Sequence, residues 1–208
     1  MTNKPITHSE VELLRRMADG DDQAFTAIYR QHQGAIYRFA LLMSGSTTIA
    51  EDVTQEAFMV LIREAQLYDP GRGTLTAYLY GIARNYVLRR LRRDSFFVSL
   101  MREAEDGEDV PLTTLVAKDD PFSNFSRNEM TRLVRQTVLA LPPRYREVVV
   151  LCDFQELSYA EAAQVLSCAV GTVSSRLHRG HALLFERLRA VSKLDPQTPD
   201  AQLLRCFT

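Results

Sequence analysis

The stretch from Ser158 to Arg189, SYAEAAQVLSCAVGTVSSRLHRGHALLFERLR, constrains this chain more than any other. It carries helical periodicity twice, with one interruption. Ser158 followed three residues later by Glu161 is a capping-box start. Ala162, Ala163, Val165 and Leu166 then give a short helix one packed face, and Ser167 and Cys168 interrupt it. A second helix opens near 169–172 and turns Val173, Leu177, Leu184 and Leu188 inward. Between those apolar positions stand Ser174, Ser175, Arg176, His178 and Arg179, with no carboxylate before Glu186. A short, polar, basic face of this kind suits a helix lying in a major groove, where Arg reaches phosphates and base edges. The same pattern also fits an ordinary helical hairpin with a solvated basic face.

Charge elsewhere is segregated. The formal net charge is only -1, so the whole chain gives no signal for nucleic acid. From Pro70 to Arg93, however, there is no Asp or Glu, and Arg72, Arg84, Arg89, Arg90, Arg92 and Arg93 stand alone. From Met101 to Asp120 the sign reverses, with Glu103, Glu105, Asp106, Glu108, Asp109, Asp119 and Asp120 against Arg102 and Lys118. Segregation of this kind implies surfaces with different partners. No run of about 18 apolar residues exists, so no membrane insertion is expected. The start, MTNKPITHSEVELL, lacks a secretory apolar core, which points to a cytoplasmic protein. Cys152, Cys168 and Cys206 are scattered and form no CxxC pair, as in a reduced compartment.

In order along the chain, a helix is expected over about 9–19, and Asp21 or Asp22 caps the next. Phe25, Ile28, Tyr29, Ile36, Phe39, Ala40 and Met43 recur at helical spacing until Gly45 and Ser46. Thr48 with Glu51 is expected to start a third helix, whose apolar face is Ile49, Val53, Ala57, Val60, Leu61 and Ala65. Its outer face offers Glu51, Asp52, Gln55 and Glu56. Asp69-Pro70-Gly71 is a turn. A fourth helix begins about Thr74 and buries Leu75, Leu79, Ile82, Ala83, Val87 and Leu91. Tyr78, Arg84, Asn85, Tyr86 and Arg89 fall on its other faces. Aromatics interleaved with arginines and an amide suit unstacked single-stranded bases, where stacking contributes about 1–3 kcal/mol per base. Packing between helices accounts for Tyr78 and Tyr80 equally well.

After Asp94 the helical pattern lapses, and an acidic stretch with Gly107 and Pro111 follows. About 30 structureless residues inside one compact domain would be unusual, so a tether between two domains is the better account. Helices resume near Arg127–Leu141 and after Pro142-Pro143, where RYREVVVLCDF turns Val148, Val149, Leu151 and Cys152 inward. No strand-like alternation is present. The fold class is therefore all-α, in two small helical domains on a flexible linker. The expected boundaries are 1–94, a linker over 95–126, a second domain over 127–190 with its helix-turn-helix at about 158–179, and a tail over 191–208 for which disorder is the default.

Taken together, GDDQAFTAIYRQH, AEDVTQEAFMVLIR, YLYGIARNYVLRRLRR, ALPPRYREVVVL and LSYAEAAQVLSCAVGTVSSRLHRGHALL resemble regions two and four of the extracytoplasmic-function class of bacterial sigma factors. The resemblance covers roughly 20–94 and 129–189. It implies a protein that binds core RNA polymerase, directs it to promoter DNA and helps to melt the duplex, with no cofactor, no metal and no catalytic residue of its own. It also implies an anti-sigma partner. By position, Asp52, Gln55 and Glu56 match the motif that docks on the polymerase. Tyr78, Arg84 and Asn85 match the part that reads and melts the minus-ten element, and Thr74 and Leu75 lie in the loop that captures a flipped base. Arg89, Arg90, Arg92 and Arg93 would contact backbone phosphates. Ser174, Ser175, Arg176, His178 and Arg179 match the face that reads the minus-thirty-five element, with Thr172 at a phosphate.

Three departures stand out. Tyr78 replaces the usual tryptophan, Glu156 the usual glycine before the hairpin, and Gly180-His181 part of a common Arg-Ala-Arg run. Two other classes compete. A stand-alone helix-turn-helix regulator would leave the outer face at 51–56 and the basic 84–93 segment without a role. A metal or thiol–imidazole site at Cys168, His178 and His181 has ligand spacing on one helix but no acid close in sequence.

Overall fold

The computed structural model describes residues 8–103 and 127–192, and every regular element among them is helical. The first bundle holds α1 (His8–Ala18), α2 (Asp22–Ser44), α3 (Thr47–Glu64) and α4 (Leu75–Glu103). Two short 3-10 turns, Ala65–Leu67 and Pro70–Arg72, connect α3 to α4. The second bundle holds α5 (Arg127–Leu139), α6 (Pro143–Val149), a π-helical turn over Val150–Phe154, α7 (Tyr159–Leu166) and α8 (Val170–Ser192).

The ends of these helices follow from local chemistry. Asp21 caps α2 by accepting from the backbone N–H groups of Gln23 and Ala24 at 2.9 and 3.2 Å. Gly45 ends that helix in the left-handed region, φ 73, and its N–H donates to the Leu41 carbonyl. Only glycine enters that region without a steric penalty. The chain then needs a single extended residue to re-enter a helix. That residue is Ser46, whose hydroxyl accepts from Ile49 N at 3.3 Å. The expected cap at Thr48 is therefore two residues late, and Thr48 sits inside the first turn. Asp69 accepts from Gly71 N and fixes the Pro70 turn, while the Tyr68 hydroxyl donates to the Gly73 carbonyl at 2.8 Å. Thr74 caps α4 by accepting from Ala77 N at 3.2 Å.

Helix α4 does not stop at Asp94 but runs nine residues further, to Glu103. The segment SFFVSLMRE contains neither Gly nor Pro, so nothing in the backbone stops it. The rest of the expected linker, 104–126, and the tail after Ser192 lie outside the described residues.

In the first bundle Phe39, Leu61, Leu79, Ala83 and Val87 are fully enclosed, and the Tyr80 ring meets Phe39 edge-on at 5.3 Å. Leu75, Leu79, Ala83 and Val87 form the expected stripe of α4, with Ile82 and Leu91 half-buried at its margin. In the second, Val148, Val149, Val150 and Leu151 line the centre, against Val173, Leu177, Leu184 and Leu188 of α8. Each such side chain contributes about 1.5–3 kcal/mol on burial. The capping box at Ser158 is complete, with Glu161 N donating to Ser158 Oγ and Ser158 N to Glu161 Oε2. Ser167, at φ 51, ends α7. Glu156, where the family resemblance expects glycine, holds φ 57, so the turn keeps a glycine-like conformation with a side chain that resists it.

Candidate nucleic-acid interface

Three surfaces bear the residues singled out from sequence. The first is the outer half of α8. Val173 and Leu177 are buried, which turns Ser174, Ser175, His178 and Arg179 to solvent, with Thr172 and Arg176 half-buried beside them. Ser175 Oγ donates back to the Thr172 carbonyl at 3.1 Å. Arg179 is partly committed, because its guanidinium beside the Tyr145 hydroxyl holds that phenol below its ordinary pKa, with Arg144 adding to the effect. Arg144 also lies over the Tyr145 ring, 4.7 Å from its centroid. Arg144 and Arg179 therefore form one basic cluster around Tyr145, between α6 and α8. His181 pairs with Asp153 Oδ2 at 2.7 Å. Its acid lies 28 positions away in sequence. Among the described residues no group of three His, Cys, Asp or Glu side chains is arranged to hold a metal ion.

The second surface runs along α4 and the loop before it. A cleft of about 380 Å³ lies between Tyr68, Thr74, Tyr78, Ile82, Asn85 and Gln164. Tyr78 meets Tyr68 edge-on at 5.4 Å, and burial raises its phenol pKa, with Glu64 adding. Asn85 is exposed at the rim and Thr74 half-buried at the mouth. Leu75 is 1% exposed, so it supports the cleft from the core and offers nothing to a ligand. Arg84 points at the second bundle and donates from Nη2 to Glu147 Oε2 at 3.1 Å. One turn on, Arg89 lies over the Tyr86 ring at 5.2 Å, and Arg92 and Arg93 are exposed. Arg90 is paired with Asp52.

Asp52 thus faces two ways. It borders the basic helix through Arg90 and shares α3 with the exposed Gln55 and Glu56. Beside that polar trio lies a groove of about 490 Å³ between α2 and α3 that periodicity did not single out. Phe25, Tyr29 and Phe58 line it and meet in tilted and edge-on pairs, with ring centroids 4.8 to 6.4 Å apart. Met59 and Ile62 stand about half-exposed at its edge. Also unanticipated were the contacts that Glu147, Gln155 and Glu161 make with the first bundle. No local signal exists for them, since their partners lie 63 to 87 residues away.

A helix-turn-helix with a basic outer face in the second bundle, beside an aromatic-lined cleft and an arginine-rich helix in the first, is the arrangement of a sigma-70 type protein. The Sigma-70 region 2 family matches residues 28–97 and the Sigma-70 region 4 family residues 131–184. The chain is 32% identical over 178 residues to the ECF RNA polymerase sigma factor SigW of Bacillus subtilis, covering 85% of this chain and 95% of that protein. It is 35% identical over 175 residues to SigE of Mycolicibacterium smegmatis, of which it spans 65%. Among solved structures it resembles CnrH in complex with the cytosolic domain of CnrY, with a TM-score of 0.65 and 27% identity over 88% of this chain and 99% of that one. The fold is also that of RpoE from Bartonella quintana, solved with the anti-sigma factor NepR, at TM-score 0.62 and 24% identity over 79% of this chain and 96% of that one. The chain belongs to the extracytoplasmic-function family of RNA polymerase sigma factors.

No helix among the described residues is long and apolar enough to cross a membrane.

Proposed function

We propose that this chain binds core RNA polymerase in the cytoplasm, directs it to a restricted set of promoters and assists their opening, without catalysing a reaction itself. Residues 1–94 would serve polymerase binding and the minus-ten element, and 127–190 the minus-thirty-five element. Asp52, Gln55 and Glu56, beside the aromatic groove of α2 and α3, are the polymerase contact. Tyr78, Asn85 and Thr74 line the cleft for an unstacked base, whose extrusion costs a few kcal/mol that the cleft must return. Arg84, Arg89, Arg90, Arg92 and Arg93 hold the strand by its phosphates, and Leu75 shapes the cleft from beneath. Ser174, Ser175, Arg176, His178 and Arg179 read the upstream element in the major groove, with Thr172 against a phosphate. An anti-sigma protein is a further partner, as in the solved complexes of CnrH with CnrY and RpoE with NepR.

The observation that carries this reading is the outward polar and basic face of α8, with Val173 and Leu177 turned in. The test is run-off transcription with bacterial core polymerase on a promoter library. Starts that require the protein are expected, and Asp52→Ala with Gln55→Ala should abolish them. Duplex binding without polymerase and with no transcript would instead mark a stand-alone regulator.

A further inference from the structure

Beside the outer face of α8 the chain holds two guanidiniums together with no carboxylate between them. Pro142-Pro143 opens α6, and the Tyr145 N–H donates to the Pro142 carbonyl at 2.9 Å, which fixes Tyr145 in the first turn. Tyr145 is 7% exposed. Its backbone abuts α8 at Gly180, where an added Cβ would stand 3.7 Å from Tyr145 Cβ and 3.7 Å from its carbonyl oxygen. Gly180 directly follows Arg179, so this close approach sets the Arg179 side chain beside the phenol. Arg144 lies over the ring, 4.7 Å from its centroid, and Arg179 stands at the hydroxyl. Both arginines are exposed.

Several other arginines are met by acceptors that compensate them. Arg84 has Glu147, Arg90 has Asp52, Arg16 has Asp21, and Arg146 donates to the Met43 and Leu141 carbonyls. Arg144 and Arg179 pair with no carboxylate among the described residues and share a phenol instead. A protonated phenol accepts a hydrogen bond but brings no formal charge to offset two guanidiniums. Like charges held side by side repel, and an anion joining them reverses the sign of that energy. At the rim of a helix that lies in a major groove, the anion within reach is a backbone phosphate, whose oxygens accept from a guanidinium fork. We propose that Arg144 binds a phosphate flanking the upstream element, and that Tyr145 is the positioning residue that aims Arg179 into the groove.

This inference rests on the reading of α8 as the helix that reads the upstream element, and the test separates the two. The full chain, assembled with core polymerase, selects fragments from a promoter library. A fluorescein-labelled duplex from the selected pool is then titrated across a salt series. Arg144→Ala should leave the selected sequence unchanged but lower the slope of log K against log salt by about 0.9, so that the loss of affinity between 50 and 200 mM salt shrinks roughly threefold. Arg144→Lys keeps the charge and should restore the slope. Tyr145→Phe keeps the ring and removes the hydroxyl. It should flatten preference at one base pair, the same one that Arg179→Ala flattens, and add nothing further in the Arg179→Ala background. Its salt slope should stay that of the parent. A phenol with a structural role alone would lower thermal stability and leave base preference where it was. Tyrosinate absorbance in the free chain reports the arrangement directly. The earliest-titrating tyrosine should vanish in Tyr145→Phe and titrate later in Arg179→Ala. An unchanged slope in Arg144→Ala would overturn the phosphate contact, and an unchanged preference in Tyr145→Phe would overturn the aiming of Arg179. If Arg176→Ala and Arg179→Ala also leave the selected sequences as they were, the reading of α8 falls and the inference with it.

Discussion

Helix α8 passes α6 so closely that a Cβ built on Gly180 would stand 2.8 Å from Cγ2 of Val149. Glycine inside a helix costs up to about 1 kcal/mol relative to alanine, and here the missing methyl is what lets the two helices meet. Gly180→Ala recovers helix propensity but overlaps Val149, so the expected net effect is a destabilisation of about 1 kcal/mol. In a Val149→Ala background the same change becomes stabilising. Urea denaturation of the four proteins of this double-mutant cycle measures both signs.

Glu156 holds φ 57 just after the π-helical turn. A left-handed conformation costs a non-glycine residue about 1–2 kcal/mol. Glu156→Gly is expected to raise stability by about 0.5–1 kcal/mol, and Glu156→Val to lower it by more. Thermal melts of the two variants beside the parent settle the matter. A fall in melting temperature for Glu156→Gly would mean the carboxylate makes a compensating contact.

Three groups in or against the core resist deprotonation. Burial pushes the Cys152 thiol from 9.0 to about 12 and the Tyr68 phenol from 10.0 to about 12, and raises Tyr80 as well. Their folded pKa values lie above those of the unfolded chain, so the stability they contribute is intact below about pH 9 and is lost as the pH rises toward 12. Guanidinium midpoints at pH 8, 9.5 and 10.5 should therefore decline. Cys152→Ala should flatten the first part of that decline and Tyr68→Phe the later part. The Cys152 thiol should also react with a disulfide reagent at pH 8 only after unfolding.

Arg89 and Arg93 are exposed on the same helix as the cleft. If each neutralises one phosphate, replacing both with alanine reduces the slope of log K against log salt by about 1.4 for a single strand. Binding to a single-stranded probe across a salt series gives that slope directly. Arg84→Ala should change the slope less than its effect on affinity suggests, since its loss also frees Glu147.

Arg176 is half-buried on the recognition face, and a bidentate contact from its guanidinium to guanine would supply about 1–3 kcal/mol of discrimination. Arg176→Ala should relax sequence preference at one upstream position and leave the others unchanged. Selection of promoter fragments by the parent and the variant, in the presence of core polymerase, would show that single position flattened.

The helices and much of the core were legible because their signals are local. Ser158 with Glu161, the Val173–Leu177–Leu184–Leu188 stripe and the Pro142-Pro143 start all sit within a few residues of what they determine. The cap of α3 was misplaced because Ser46 and Thr48 offer the same hydroxyl, and only the left-handed Gly45 decides between them. The end of α4 is not legible because the helical apolar pattern lapses after Asp94, whereas no Gly or Pro interrupts the chain before Gly107. The meeting of Arg84 with Glu147 could not have been read at all. Each is an ordinary residue of its own helix, and only the packing of one bundle on the other joins them.

That pair has a consequence for how such a protein can change. Arg84 and Glu147 stand 63 residues apart in sequence, and neither bundle holds both charges. Exchanging one bundle for that of another protein, without matching this position, would strand a largely buried carboxylate or guanidinium without its counter-charge, which costs several kcal/mol. The two halves of the chain are therefore bound to vary together at this pair.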